Sequence, residues 1–83
     1  MKLTINKARV LIFLSQTTND NKYKTAIGKI LNINYGYLHN IVGQMEQVGW
    51  LRRIRSNQKV YFELTETCPL EEAKELLSKK IRS

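Results

Sequence analysis

The chain has 83 residues, the size of one small domain, of which 42% are hydrophobic and 25% are charged. Fourteen lysine and arginine residues against seven acidic residues give a net charge of +7. Residues 66–83 hold four charges of each sign, so the whole excess lies in residues 1–65. This basic region favours a polyanionic partner, although a basic surface kept for solubility is the alternative. The length excludes a catalytic domain beside a binding domain.

Metal and membrane sites are not expected either. Cys68 is the single cysteine and His39 the single histidine, which excludes an internal disulfide and is too few for a structural zinc site. The longest apolar run, residues 10–14, is far shorter than the roughly 18 residues that cross a membrane. We therefore expect a cytoplasmic protein with no metal, no cofactor and no membrane partner.

Hydrophobic spacing predicts two helices at the start of the chain. Thr4 can cap a helix that runs to about Gln16, although residues 10–14 would also fit a buried strand. A polar loop leads to a short helix over about residues 22–31. The side chains expected to be buried in this second helix are Ile27, Ile30 and Leu31.

A third helix is predicted over residues 35–48. Asn34 is a good N-cap for it, and Gly49 ends it as the glycine beyond the helix. Its apolar residues recur at helical spacing and are Leu38, Ile41, Val42, Met45 and Val48.

The period then changes to that of strands. Residues 50–55 and 59–64 predict a hairpin with a short turn at residues 56–58. Pro69 opens a last helix at its first position. The apolar stripe of that helix is Leu70, Ala73, Leu77 and Ile81. This stripe could form the seam of a homodimer or pack on its own domain.

The second and third helices have the spacing of a helix-turn-helix. Counted from Lys24, apolar residues fall at positions four, eight, ten, fifteen and eighteen, which are Ile27, Leu31, Ile33, Leu38 and Ile41. Position five must be small because the helices touch there, and it is Gly28. Position nine, Asn32, tolerates the left-handed backbone of a tight turn. The outer side of the third helix is then free to enter the major groove.

Residues 37–53 and 61–66 add the motifs Met45-Glu46-x-x-Gly49-Trp50-Leu51 and Leu64-Thr65. With them the chain resembles the winged helix-turn-helix transcription regulators, most of all the MarR-type and related small bacterial, archaeal and viral repressors. The resemblance implies a mainly α fold with a small antiparallel β-hairpin, in the order helix–helix–helix–strand–wing–strand–helix. Residues 1–66 would be the DNA-binding domain, and residues 67–83 a C-terminal helix of the same domain and a possible dimerisation element.

The outward side of the third helix is the candidate surface for reading DNA. Its residues are Tyr35, Gly36, Tyr37, His39, Asn40, Gly43 and Gln44. Asparagine and glutamine can pair with adenine, whereas a merely solvated side would be expected to hold Glu and Lys, which are missing from residues 35–45. The two glycines destabilise a helix by roughly 1 kcal/mol each, so we expect them to allow close approach of DNA or of a neighbouring helix.

Basic and polar residues around the hairpin are expected to contact the DNA backbone. They are Arg52, Arg53, Arg55, Asn57 and Lys59, with Lys24 from the second helix. Charges that deter edge-to-edge aggregation are the alternative for the hairpin.

These features predict a nucleoid-associated, sequence-specific regulator that binds double-stranded DNA as a homodimeric repressor. The alternatives are a winged-helix module for protein–protein contact in a larger assembly and a non-specific nucleic-acid binder. An enzyme is not expected, because His39 has no acid, nucleophile or metal partner in the sequence pattern.

Overall fold

The computed structural model describes residues 2–82, and the side chains of residues 2–79. Four helices and one hairpin follow in chain order: α1 (Ile5–Gln16), α2 (Lys24–Leu31), α3 (Tyr35–Gln47), β1 (Leu51–Ser56), β2 (Lys59–Leu64) and α4 (Leu70–Arg82). A single 3₁₀ turn, Asn19–Asn21, lies between α1 and α2. The predicted mainly α fold with an antiparallel β-hairpin is confirmed, and residues 10–14 are helical rather than a strand.

Local capping chemistry explains where the helices begin and end. The Thr4 hydroxyl accepts a hydrogen bond from the Lys7 amide at 3.4 Å, and the Asn34 side chain accepts one from the Tyr37 amide at 3.2 Å. Asn32 adopts the left-handed conformation with φ +56°. Gly49 has φ +88°, and the amide of the next residue, Trp50, donates to the carbonyl of Met45 at 2.9 Å. The Thr4 cap confirms the predicted start of α1, and the other three features confirm the predicted turn and the limits of α3 to within a residue.

The second helix begins two residues later than predicted, at Lys24. Tyr23 is extended, and the carbonyl of Lys22 accepts a hydrogen bond from the amide of Phe62 at 2.8 Å. This hydrogen bond holds Lys22 against β2, outside the helix. Ile30 is 53% exposed, so its predicted burial was wrong, because the buried side of this short helix is formed by Ala26, Ile27 and Gly28.

One hydrophobic core joins all the elements. Its buried side chains include Leu11 of α1, Ile27 of α2, Leu38 of α3 and Phe62 of β2. Val48 is 46% exposed because it lies beyond the end of α3, so its predicted place in the core was wrong. Trp50 packs against the core at the root of the hairpin. The core thus holds α3 by one side only and leaves its other side outside.

The hairpin has an unbroken antiparallel register from Leu51 opposite Leu64 to Ser56 opposite Lys59. Its two turn residues, Asn57 and Gln58, have φ of +48° and +67°. A type I′ turn requires positive φ at both positions, which suits the twist of the strands but disfavours a glutamine.

Replacing Gln58 with glycine is expected to raise the free energy of unfolding by about 0.5–1 kcal/mol, because glycine adopts positive φ without steric cost. Urea denaturation followed by circular dichroism measures the change. Asn57→Gly is the matched substitution, and its gain should be smaller because asparagine tolerates this conformation. A lower stability for Gln58→Gly would contradict the assigned turn.

Candidate nucleic-acid interface

All seven residues predicted to read DNA lie on the exposed side of α3. Tyr35 is 55% and Tyr37 44% exposed, and Gly36, His39, Asn40, Gly43 and Gln44 are exposed as well. The opposite side is buried through Leu38, Ile41, Val42 and Met45. Among its exposed residues from 35 to 45 there is no charged side chain. We call this surface of seven residues the reading face; it offers amide, hydroxyl and imidazole groups without formal charge.

A close crossing of α2 and α3 fixes the direction of the reading face. A Cβ atom added at Gly28 would lie 3.1 Å from the carbonyl oxygen of Ile33 and 3.4 Å from Cδ2 of Leu38. The distance to Ile33 is tighter than ordinary van der Waals contact, so packing favours the small residue predicted at this position of the helix-turn-helix. The buried contact turns α3 outward and leaves the reading face free.

The two glycines of the reading face do not serve contact with a neighbouring helix. A Cβ atom at Gly43 would meet no atom of the described residues within 4 Å, and one at Gly36 would meet only the capping oxygen of Asn34 at 3.3 Å. The predicted alternative of close approach to a neighbouring helix therefore does not hold for either glycine within the described residues of this chain. The open space beyond Gly43 lets another molecule approach the helix backbone.

His39 is held by a lysine from the neighbouring helix. Nζ of Lys24 lies 2.8 Å from Nδ1 of His39. An ammonium group has only protons to donate, so in this contact Nδ1 is the acceptor and the ring proton lies on Nε2. His39 accordingly presents a hydrogen-bond donor at its free nitrogen.

The hairpin register divides the predicted basic residues between two faces. Arg53 lies opposite Phe62 on the face toward the core, where its guanidinium is 5.6 Å from the Phe62 ring centre and donates to Glu46 of α3 at 3.0 Å. Arg52 lies on the other face and pairs with Glu63 at 3.2 Å. The structure therefore brings Arg53, but not Arg52, to the side of the hairpin that faces α3.

A cleft of about 370 Å³ opens where the hairpin meets the starts of α2 and α3. We call it the wing cleft. Three predicted contact residues line it, Lys24, Arg53 and Lys59, together with Tyr35 of the reading face. Arg55 and Asn57 are exposed but do not line the cleft.

Three residues of the wing cleft were not predicted as site residues from the sequence: Tyr23, Thr25 and Val60. Tyr23 lies under Lys59, whose Nζ is 5.4 Å from the ring centre, and it contacts the ring of Tyr61 edge-on. The alternation Lys22-Tyr23-Lys24 is the signal that could have placed Tyr23 in an extended segment rather than in a helix.

The fold is similar to that of several solved structures of transcription regulators. MepR, a transcription regulator of the Staphylococcus aureus multidrug efflux pump MepA, superposes with a TM-score of 0.79 at 17% sequence identity, covering 98% of this chain and 62% of MepR. The adhesin competence repressor AdcR of Streptococcus pyogenes gives 0.76 at 25% identity, with 98% and 62% covered. A MarR family transcriptional regulator of Silicibacter pomeroyi gives 0.66 at 23%, with 96% and 56% covered.

The chain has the winged helix-turn-helix fold of the MarR-type regulators. No protein-family model and no curated protein sequence matches it. The chain spans about 60% of the length of these structures. In winged-helix terms, α2 and α3 form the helix-turn-helix and the hairpin of β1 and β2 is the wing.

The last helix of this winged-helix domain packs along α1. Ala73 is fully buried in the core of the chain itself, so it has no surface for a partner and its assignment as a dimer contact was wrong. Leu70 and Leu77 are half-buried against the core and keep part of their surface outside. Ile81 lies outside the residues whose side chains are described.

The described residues also bear on three other kinds of feature: a reactive thiol, a metal site and a membrane-spanning helix. Burial raises the pKa of the Cys68 thiol, which disfavours the reactive thiolate form. Among residues 2–79, no three side chains of His, Cys, Asp or Glu come together as metal ligands. In the described part of the chain, none of the helices has the length and hydropathy needed to span a bilayer.

Proposed function

We propose that this protein is a sequence-specific regulator of transcription that binds double-stranded DNA as a homodimer and represses by occluding a promoter. The observation that carries the proposal is the reading face, an uncharged, amide-bearing side of α3 presented outward by a winged helix-turn-helix. In this fold class the second helix of the motif lies in the major groove with its exposed side against base edges.

The side chains of the reading face suit base recognition. Asn40 and Gln44 are one helical turn apart. The side-chain amide of each can form a bidentate pair with an adenine, in which its NH₂ group donates to N7 and its oxygen accepts from the N6 amino group. The Nε2 proton of His39, placed by Lys24, suits the acceptors of guanine or thymine. Tyr35 and Tyr37 can donate hydroxyl hydrogen bonds to phosphates at the edges of the groove.

Affinity is proposed to come from the basic residues that flank this face. Lys24 and Arg53 come from α2 and β1, and Lys59 comes from β2. Each phosphate that they neutralise releases condensed counterions, so binding energy rises with the number of contacts and falls with salt. Arg55 and Asn57 extend the same surface along the exposed end of the wing.

The homodimer is proposed to bind a pseudo-palindromic site, with one reading face in each half. Its seam is proposed on α4, where Leu70 and Leu77 keep part of their surface outside the core, and Ile81 stays a predicted contact of that helix. Ala73 is excluded from that seam because it is buried in its own domain.

Gly43→Ala separates a structural from a functional role of the reading face. The substitution is expected to raise the free energy of unfolding by about 0.5–1 kcal/mol, since alanine favours helix and meets no protein atom within 4 Å. It is expected to weaken DNA binding about tenfold, because the new methyl group occupies space that DNA would fill.

Thermal denaturation and fluorescence anisotropy with a labelled duplex measure the two effects of Gly43→Ala. Ser78→Ala, an exposed position in α4, is the control that favours helix without altering the reading face. A Gly43→Ala variant that binds DNA as tightly as wild type would show that no DNA approaches the helix there.

The two neighbouring arginines of β1 test which side of this strand meets DNA. Arg53→Gln and Arg52→Gln each remove one positive charge and one surface ion pair. We expect Arg53→Gln to weaken binding about tenfold and Arg52→Gln by less than about twofold, because only Arg53 lies on the side that faces α3. Equal losses in anisotropy titrations would contradict this division of the wing.

The proposed function itself is tested by the salt dependence of binding to a mixed-sequence duplex. With about six phosphate contacts, affinity should fall about a thousandfold between 50 and 200 mM salt. Anisotropy titrations at four salt concentrations give the slope. A flat salt response, or no binding at 50 mM salt, would contradict the proposal and favour a module for protein–protein contact.

A further inference from the structure

We infer that the wing cleft is the seat of one backbone phosphate of the bound DNA, which anchors α3 and the wing to the same strand. The inference rests on the proposed function and adds to it a specific phosphodiester site. The lining of the cleft is positively charged, because Lys24, Arg53 and Lys59 reach it from three different elements and no carboxylate is among its lining residues.

The cations of the cleft are held in place before any ligand arrives. Lys24 is hydrogen-bonded to His39 and lies 5.9 Å from the centre of the Phe62 ring. Arg53 is fixed between that same ring and Glu46, and Lys59 lies over Tyr23. Ordered side chains lose less conformational entropy on binding, so a phosphate here gains more net affinity than one beside freely moving lysines.

Glu46 distinguishes Arg53 from the two lysines of the cleft. Its carboxylate forms an ion pair with the guanidinium of Arg53 and offsets that charge, although Glu46 does not itself line the cleft. Lys24 and Lys59 have no ion pair with an acidic side chain among the described residues. The two ammonium groups therefore supply the net positive charge, and an ammonium can turn its three protons toward a phosphate oxygen.

The lining and the size of the cleft also suit a phosphate. Tyr23, Thr25 and Tyr35 bring three hydroxyl groups, which donate to phosphate oxygens as readily as to water. The volume of about 370 Å³ is about twelve times that of a water molecule in the liquid, so a phosphodiester fits with its hydration.

The position of the cleft selects the DNA backbone over a free anion. Tyr35 belongs both to the cleft and to the reading face, and Lys24 touches His39 of that face. A strand whose bases meet α3 passes the start of this helix, where the cleft opens. A phosphate held there fixes the register of α3 in the groove without itself reading sequence.

A scan with methylphosphonates tests the site. Single neutral methylphosphonates are placed along a duplex selected for binding, and the affinity of wild type is compared with those of Lys59→Gln and of the charge-matched control Lys74→Gln on α4. At one position in each half-site, loss of the phosphate charge should weaken wild type and Lys74→Gln about tenfold. The same change should barely affect Lys59→Gln, because its contact is already gone.

The other outcomes overturn the inference in distinguishable ways. If every position weakens Lys59→Gln as much as wild type while DNA binding persists, the cleft holds no phosphate and the proposed function stands. If wild type binds no duplex, both fail. If millimolar inorganic phosphate saturates the free protein, with NMR shifts confined to Tyr23, Thr25 and Tyr35, while no methylphosphonate position distinguishes Lys59→Gln from wild type, the cleft is a free-anion site and its assignment to DNA is wrong.

Discussion

The double substitution Asn40→Ala with Gln44→Ala is expected to abolish preference for the selected sequence while leaving general DNA affinity in place. Two bidentate amide–base pairs are worth about 2–6 kcal/mol of discrimination, so the affinity ratio between selected and mixed duplex should fall at least about thirtyfold. Both residues are exposed and uncharged. The salt slope and the stability of the fold should therefore stay close to those of wild type.

A matched control removes the same two amide groups elsewhere. Gln16 and Asn19 are exposed at the end of α1 and in the turn that follows it. The double variant Gln16→Ala with Asn19→Ala should keep the full preference in competition gel shifts. If the Asn40 and Gln44 variant also keeps it, the reading face is assigned to the wrong residues.

Phe62→Ala has the largest expected effect on stability. The ring is fully buried between the wing and the helix-turn-helix, and Lys24 and Arg53 both lie against it. Its loss should lower the free energy of unfolding by about 3–5 kcal/mol, which is comparable to the whole stability expected of a domain this small. Urea denaturation at low temperature measures the change.

Phe62→Leu is the matched variant, since it keeps an apolar side chain and should cost about 1 kcal/mol. Its DNA binding should survive at temperatures where the folded form is populated. A Phe62→Ala variant as stable as wild type would show that the wing is not anchored through this ring.

The sequence alone predicted those features that depend on neighbours in the chain. Asn34 and Gly49 limit α3 through contacts within four residues, and Asn32 shapes its turn through its own backbone. The reading face follows from the same periodicity, because the apolar side of α3 determines its exposed side. All seven predicted residues of that face are accordingly exposed.

Features that depend on contacts between distant parts of the chain could not be predicted from the sequence. The late start of α2 follows from a hydrogen bond between Lys22 and Phe62, which lie 40 positions apart. The opposite orientations of Arg52 and Arg53 depend on the register of the wing and on Glu46, which composition does not encode. An apolar stripe looks the same whether it meets its own core or a second chain, so Ala73 could be placed only by the structure.

Selection of bound duplexes from a random pool by the wild-type protein shows whether α3 reads base edges in duplex DNA. One motif is expected to emerge, a pseudo-palindrome whose half-site centres are one helical turn of about 10 base pairs or a multiple apart. A pool that stays random after repeated rounds, although the protein still retains duplex at low salt, would contradict sequence reading by this helix.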